Sequence, residues 1–565
     1  MNRKPLPIGV DDFKILMEDN YYYIDKTDFI SELLGYMNSV ALITRPRRFG
    51  KTLNMSMLKY FFEDERDMDG NKIDNSTLFN GLNISKTPYM TQQGKYPVIS
   101  ISFKDCKADT WEETLRDIKE IISQEFYRHN FIASSGKVDK RLIKKFNAIC
   151  DNEGDYDLYK NSLKTLTEVL KNYYNERTII LIDEYNVPLE NAYKKGFYNE
   201  AIPFIRHLFS SGVKSNNSLK FAVFTGCLRV SKESIFTGLN NLRVCSILSK
   251  EYSTCFGFTE EEVKQVCDDY NLNDYVDIYK EWYNGYNFFG NHIYNPWSVM
   301  NYTQSLSIGD DNTLSHRINS SSNDIIRTMM KLYGGAIGDD IEKLLAGECI
   351  ETKVVETLTY EDVYKSIENL WTFMLFTGYL TPQSRKATNE YYLKIPNKEI
   401  KHCYEEQILN WMKDELKANK NYHILKYLIN KQPDKVEQTL NLFLSSSLSF
   451  FDSEEKFYHG FALGLCATFE DYRIKSNREA GDGRLDLLLI PKTLTLPYII
   501  LEFKIEADIN KLSNTAKVAL EQIDTKKYEN DIIDTTKNII KYGIAFHQKQ
   551  CKVLMNEKLL EQSQK

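Results

Sequence analysis

No stretch of this chain reaches the ~18 to 20 consecutive apolar residues that a bilayer-crossing helix needs. The opening Met1-Asn2-Arg3-Lys4-Pro5 leads into no apolar core of the kind a secretory leader carries, so a cytoplasmic protein without membrane partners is expected. The ten cysteines stand singly, with no Cys-x-x-Cys pair and no nearby histidine pair. That spacing gives no basis for a zinc site or a disulfide framework and leaves reduced, mostly buried thiols. Excess basic charge is missing too. A formal net charge of −7 argues against a uniformly basic nucleic-acid coat, while a local basic surface can still hold a phosphate backbone. There is no repeat of fixed period and no low-complexity tail.

What is present is a globular composition, 42% hydrophobic and 27% charged, spread over 565 residues. At roughly 100 to 200 residues per domain that length exceeds a single core. Three regions are expected: 1–250, 251–435 and 436–565, the last boundary set where a charged helical run over 411–420 continues unbroken to Pro433.

The first region opens with an apolar run, Val40-Ala41-Leu42-Ile43-Thr44, that passes through Arg45-Pro46-Arg47-Arg48-Phe49 into Gly50-Lys51-Thr52 and then a helical stripe of Leu53, Met57, Leu58 and Phe61. A strand, a tight turn and a helix amino terminus are what a Walker-type phosphate loop needs. Backbone N–H groups surround the phosphates, a lysine reaches the β/γ oxygens and a hydroxyl ligates Mg²⁺. Gly50, Lys51 and Thr52 satisfy that end of the pattern, but Arg45 stands where the usual motif has its first glycine. A second apolar run, Thr178-Ile179-Ile180-Leu181-Ile182, delivers Asp183 to the metal shell and Glu184 to a water-activating position. Strand-like runs at 97–103, 219–225 and 245–248 alternate with helical segments, one of them opened by Thr110 and Glu113 and striped by Leu115, Ile118, Ile122 and Phe126. This is the rhythm of a parallel α/β sheet. Thr225, ending its strand, is placed either to sense a γ-phosphate or to cap the strand.

These residues resemble the AAA-ATPase-like family often fused to a PD-(D/E)XK nuclease domain in bacterial proteins. The resemblance is carried by Leu6-Pro7-Ile8-Gly9, Tyr23-Ile24-Asp25-Lys26-Thr27, the segment 44–53, and Leu181-Ile182-Asp183-Glu184-Tyr185. It continues through 234–241, Tyr283-Asn284-Gly285-Tyr286 and Tyr294-Asn295-Pro296-Trp297-Ser298. It implies an ATP-dependent module with Mg²⁺, and makes Arg45 the family's own loop variant. Where the family pattern continues Asp-Glu-Tyr-Asp, this chain has Asn186; nucleotide binding is expected to persist and hydrolysis to be slowed if the missing charge tunes metal or subunit contacts. Arg47, Arg48 and Arg229 are candidates for a trans-acting arginine, which would require a homo-oligomer.

The middle region turns helical from Thr259, which with Glu262 forms a capping box. It suits a lid over a nucleotide. The stretch 305–323 reads as a loop. A helix over 367–376 leading into strand-like pieces at 378–381 and 391–395 resembles a winged helix, a fold that either touches DNA or simply packs on its neighbour. Lys394, Lys398, Lys401 and His402 read as a solvated face.

In the last region Asp486 lies in Arg484-Leu485-Asp486-Leu487-Leu488-Leu489-Ile490, and Glu502-Phe503-Lys504 ends Tyr498-Ile499-Ile500-Leu501. Carboxylates at strand ends can hold Mg²⁺, and strand alternation puts Glu502 and Lys504 on one face with Phe503 in the core. Lys504 can then orient an attacking water or neutralise developing charge. A helix over 456–469, strands at 472–476, 484–490 and 498–504, a helix over 522–528 and a strand at 542–546 give the order of a PD-(D/E)XK core. The resemblance rests on 457–461, 477–486, 500–504, 519–523 and Tyr528. It implies Asp486, Glu502 and Lys504 as the catalytic set, Glu455 as an extra metal ligand, and Gln522 as a supporting residue.

The expected fold class is thus α/β: a P-loop NTPase parallel sheet, a helical and winged-helix-like middle, and a PD-(D/E)XK nuclease-like α/β domain. The expected function is an ATP-regulated, Mg²⁺-dependent nuclease acting on DNA. One rival reading is a nucleotide-dependent DNA-binding switch with a catalytically silent nuclease fold; another has the last domain acting on RNA.

Overall fold

The structure is a computed structural model that describes residues 3–36, 38–228, 242–312, 324–333, 336–418, 424–446, 469, 471–480, 483–493, 495–526, 538–548 and 550–558. It divides into two compact units, Met1–Arg317 with Cys349–Ile400, and Ile318–Glu348 with Lys401–Lys565.

The first unit is built on β1 (Val40–Thr44), β2 (Val98–Ser102), β3 (Thr178–Asp183), β4 (Leu219–Gly226) and β5 (Leu242–Cys245), all parallel, in the order β2-β3-β4-β1-β5. Every residue of β1 and β3 is buried, which is why both read as uninterrupted apolar runs rather than alternating ones. Because β4 lies between β1 and β3, its last residues separate the ends of the two strands that carry the motifs. Gly50, with φ +79°, turns the chain from the loop into the Lys51–Phe62 helix, a left-handed conformation that glycine adopts without a Cβ penalty. The strand expected at 245–248 instead ends at Cys245. Ser246 and Ser249 redirect the chain, with Ser246 N donating to Ser249 Oγ and Leu248 N to Ser246 Oγ.

Helices Glu260–Tyr270, Val276–Tyr283 and Pro296–Ser307 share an aromatic core of Tyr270, Tyr279, Tyr283 and Tyr302, against which Tyr22, Ile24, Leu6 and Ile8 also pack. Thr259 and Glu262 form the expected capping box, with both reciprocal bonds made. The loop expected from 305 begins later, since the Pro296–Ser307 helix runs on to Ser307. A short hairpin, β6 (Tyr286–Phe288) and β7 (Asn291–Ile293), sets Tyr286 edge-on against Phe49 of the phosphate loop, with centroids 4.9 Å apart.

Strands β8 (Ile350–Lys353), β9 (Thr381–Ala387) and β10 (Glu390–Lys394) form an antiparallel sheet in the order β8-β10-β9, with the Ile367–Thr377 helix between β8 and β9 in the chain. Residues 378–380 close the helix rather than start a strand, and β9 begins at Thr381. Along this helix Leu370, Trp371, Thr372, Met374, Leu375 and Phe376 are buried, and Glu368 alone is exposed.

The second unit carries a mixed sheet, β11 (Tyr472–Ala480), β12 (Gly483–Pro491), β13 (Tyr498–Ile505), β14 (Ile539–His547) and β15 (Gln550–Lys558), in sequential order. All neighbours are antiparallel except β13 and β14, whose parallel pairing requires the crossover through the Leu512–Thr525 helix. One face of the sheet meets that helix through Ile500, Leu488 and Ile523. Helices Ile424–Ile429 and Pro433–Ser446 serve the other, where Tyr542 Oη donates to Leu428 O and Asn441 Oδ1 accepts from Cys551 N. The crossover helix starts ten residues before the expected 522, and β15 was not anticipated. Its buried positions, Leu512, Ala516, Ala519 and Ile523, include two alanines that blur the apolar stripe. Small residues are needed there, because a Cβ on Gly543 of β14 would lie 2.4 Å from Ala516 O and Leu520 N. The helix expected over 456–469, apart from Phe469, and the motif 234–241 lie outside the described residues.

The nine described cysteines are free thiols. No helix among the described residues is long and apolar enough to cross a membrane.

Candidate nucleotide and metal sites

Arg45 turns away from the phosphate loop's mouth. Its guanidinium is fully buried and donates to four carbonyls: Nη1 to Thr44 O (2.8 Å) and Cys245 O (2.9 Å), Nη2 to Tyr252 O (2.9 Å) and Glu251 O (3.3 Å). It also lies 5.4 Å from the ring centroids of both Phe256 and Phe288. Burial lowers its pKa to about 10, so it remains a cation at neutral pH. The residue that departs from the common loop pattern is thus an internal tie between the loop, β5 and the segment after it.

Lys51 heads the helix and is buried, its Nζ donating to Arg45 O (3.2 Å) and Pro46 O (3.1 Å) and lying 3.2 Å from Glu184 Oε1. Burial alone would lower the ammonium pKa; Cys227, Glu184 and Asp183 outweigh that and hold it above the usual value. Thr52 Oγ1 donates to Asp183 Oδ2 (2.8 Å), Thr225 Oγ1 to Asp183 Oδ1 (2.6 Å), and Ser102 Oγ to Oδ2 (3.3 Å). One carboxylate is thereby surrounded by hydroxyls from the loop helix, β2 and β4. Burial, then the charge of Glu184, raises the Asp183 pKa, with the Thr225 and Thr52 bonds opposing. Glu184 itself sits at φ +51°, a left-handed conformation unusual for glutamate and common at functional positions. The hydroxyl and carboxylate of Thr52 and Asp183 form an oxygen donor set that suits a hard cation such as Mg²⁺. Sequence order alone left Thr225 ambiguous and gave no hint of Ser102 or Cys227, because only the strand order β2-β3-β4-β1 brings them here.

Asn186 is buried rather than aimed at the phosphate site. Its Oδ1 accepts from Cys227 N (3.2 Å) and its Nδ2 donates to Tyr360 Oη (2.9 Å). A neutral amide can serve both partners at once, a donor on one side and an acceptor on the other. Arg47 is engaged by Glu190 at 3.0 Å, and Arg48 stacks over Trp297 at 5.0 Å from the ring centroid; Arg229 lies outside the described residues.

In the second unit the register Leu488↔Ile500 and Leu487↔Leu501, continued by one pair, sets Asp486 opposite Glu502. Leu488 and Ile500 face the crossover helix, so alternation turns Asp486, Glu502 and Lys504 to that same side. Asp486 Oδ2 accepts from Phe503 N (2.8 Å), and Glu502 Oε1 accepts from Gln522 Nε2 of the crossover helix. Glu502 is 2% exposed, whereas Asp486 and Lys504 are half-buried. Two adjacent carboxylates again form an oxygen donor set fitted to a hard divalent cation. Among the described residues no group of three or more His, Cys, Asp or Glu side chains is assembled, and Glu455 lies outside them.

Residues 7–236 match the family model described as a predicted AAA-ATPase, and residues 453–556 match the PD-(D/E)XK nuclease superfamily. An uncharacterized protein in the vnfD 5′ region of Azotobacter chroococcum mcd 1 is 30% identical over 305 residues, 53% of this chain and 52% of the relative. The chain therefore spans about half the length of the curated relative it matches.

Proposed function

We propose that this chain, which carries an AAA-ATPase-like domain at its amino-terminal end and a PD-(D/E)XK nuclease superfamily domain at its carboxy-terminal end, is an ATP-regulated, Mg²⁺-dependent nuclease that hydrolyses phosphodiester bonds in DNA. The observation that carries the reading is the shared face of Asp486, Glu502 and Lys504, with Gln522 bound to Glu502.

When bound, a divalent cation supplies polarisation of the scissile phosphate and a water of lowered pKa. Asp486 and Glu502 would hold it, and the bonds from Phe503 N and Gln522 fix the carboxylate orientations before any ligand arrives. Lys504, two residues along the same face, is placed to orient water or to stabilise the charge growing on the phosphate. At the other end Thr52 and Asp183 would hold Mg²⁺ with the nucleotide, Lys51 would bind its phosphates, and Glu184 would orient the attacking water.

The test is cleavage of single- and double-stranded DNA by the purified chain with Mg²⁺, beside Asp486→Ala and Lys504→Ala. Metal-dependent cutting lost in both variants supports the assignment; cutting that persists unchanged in both removes it.

A further inference from the structure

From Gly50, Lys51 and Thr52 a cavity of about 330 Å³ extends under the amino-terminal segment toward the Pro296–Ser307 helix. That volume falls within the roughly 300 to 1,000 Å³ of small-molecule sites. Its walls beyond the phosphate loop include Ile8, Val10, Tyr23, Phe258, Trp297 and Met300, so an apolar, aromatic chamber continues the phosphate site.

Most of the polar side chains along this wall hold protein partners. Asp11 pairs with Lys104 at 2.7 Å, and Lys26 Nζ lies 2.6 Å from Glu262 and donates to Thr254 O at 3.0 Å. Asn54 Nδ2 donates to Cys255 O at 2.9 Å. Tyr22 Oη donates to Asp269 at 2.6 Å, and Tyr23 Oη accepts from Lys26 N at 3.1 Å. Arg48 is spread over the Trp297 ring. A flat, apolar group is what this surface suits, and its side chains do not present a donor and acceptor pattern to distinguish one base edge from another.

We propose that the cavity receives the base and ribose of a purine nucleoside triphosphate and selects the base by shape and stacking, so that adenine and guanine nucleotides bind with similar affinity. The proposal rests on the nucleotide-site reading above and narrows it. A pocket that reads substrates by apolar fit separates close analogues by about 10- to 200-fold, whereas one that hydrogen-bonds a defining group separates them by about 10⁴-fold or more.

The experiment is equilibrium binding of ATP, GTP, CTP and inorganic tripolyphosphate, each with Mg²⁺, to the full chain and to Trp297→Ala and Trp297→Phe, with thermal melting to check folding. ATP and GTP are expected within about tenfold of one another, CTP weaker, and tripolyphosphate weaker than ATP by about 100-fold. Trp297→Ala is expected to erode the advantage of ATP and GTP over tripolyphosphate by about tenfold, and Trp297→Phe to restore it. A preference for ATP over GTP beyond about 1,000-fold overturns the proposal. Tripolyphosphate binding as tightly as ATP overturns the base pocket alone. Failure of ATP, GTP and tripolyphosphate alike overturns the nucleotide site and the proposal with it.

Discussion

Lys51 Nζ stands 3.2 Å from Glu184 Oε1, so the cation suited to meet a phosphate and the carboxylate suited to meet a water neutralise each other across the loop. Arriving phosphates would compete with Glu184 and the carbonyls of Arg45 and Pro46 for the ammonium, freeing the carboxylate as they do so. Removing the lysine therefore affects binding, and removing the acid affects turnover. Lys51→Ala is expected to weaken nucleotide binding by about 10- to 150-fold, from ~1.5 to 3 kcal/mol for a charged hydrogen bond. Glu184→Gln is expected to bind nucleotide undiminished and to hydrolyse it about 10²- to 10⁴-fold more slowly. Calorimetric titration and phosphate release separate the two.

Asp183 predicts a pH dependence. Its pKa is raised by burial and by Glu184, so the folded domain without ligand favours the neutral acid more than the unfolded chain does. That preference contributes stability at low pH which is lost as pH rises through the raised pKa. Metal binding requires the carboxylate, so Mg²⁺–nucleotide affinity is expected to fall as pH drops through the same value. Asp183→Asn should flatten the profile while weakening binding throughout; measuring affinity across acidic and neutral pH checks both.

Arg45 supports a stability prediction rather than a phosphate-binding one. Arg45→Lys keeps the charge but loses the planar fork that reaches four carbonyls, with an expected cost on the order of 3 kcal/mol to the amino-terminal unit. Thermal melting of the variant with and without nucleotide checks this: a lower Tm in both conditions is expected, with a nucleotide-induced rise of similar size to the wild type.

Much of this was legible along the chain because the signals are local. β1 and β3 are short, wholly buried and each leads into its chemistry, and alternation along β13 alone sets Glu502 and Lys504 on one face. What the sequence withheld depends on neighbours distant in the chain. Thr225 reaches Asp183 because β4 runs between the two motif strands, and Asn186 meets Tyr360 across 174 positions. The amino-terminal part of the crossover helix carries a weak signal because its buried stripe is partly alanine, where the helix backbone comes close to Gly543.

Gln522 is expected to support rather than perform chemistry. Gln522→Ala should lower cleavage by roughly 10- to 100-fold and raise the Mg²⁺ concentration needed, as loss of a group orienting a ligand does. Glu502→Ala should abolish cleavage at any Mg²⁺ concentration. Activity across a Mg²⁺ titration distinguishes the two.

The most direct measurement is Mg²⁺-dependent DNA cleavage by the full chain with and without ATP, beside Lys51→Ala and Asp486→Ala. Cleavage that changes with ATP in the wild type, loses that response in Lys51→Ala and disappears in Asp486→Ala is the predicted result. Cleavage indifferent to ATP, or surviving in Asp486→Ala, would contradict the account.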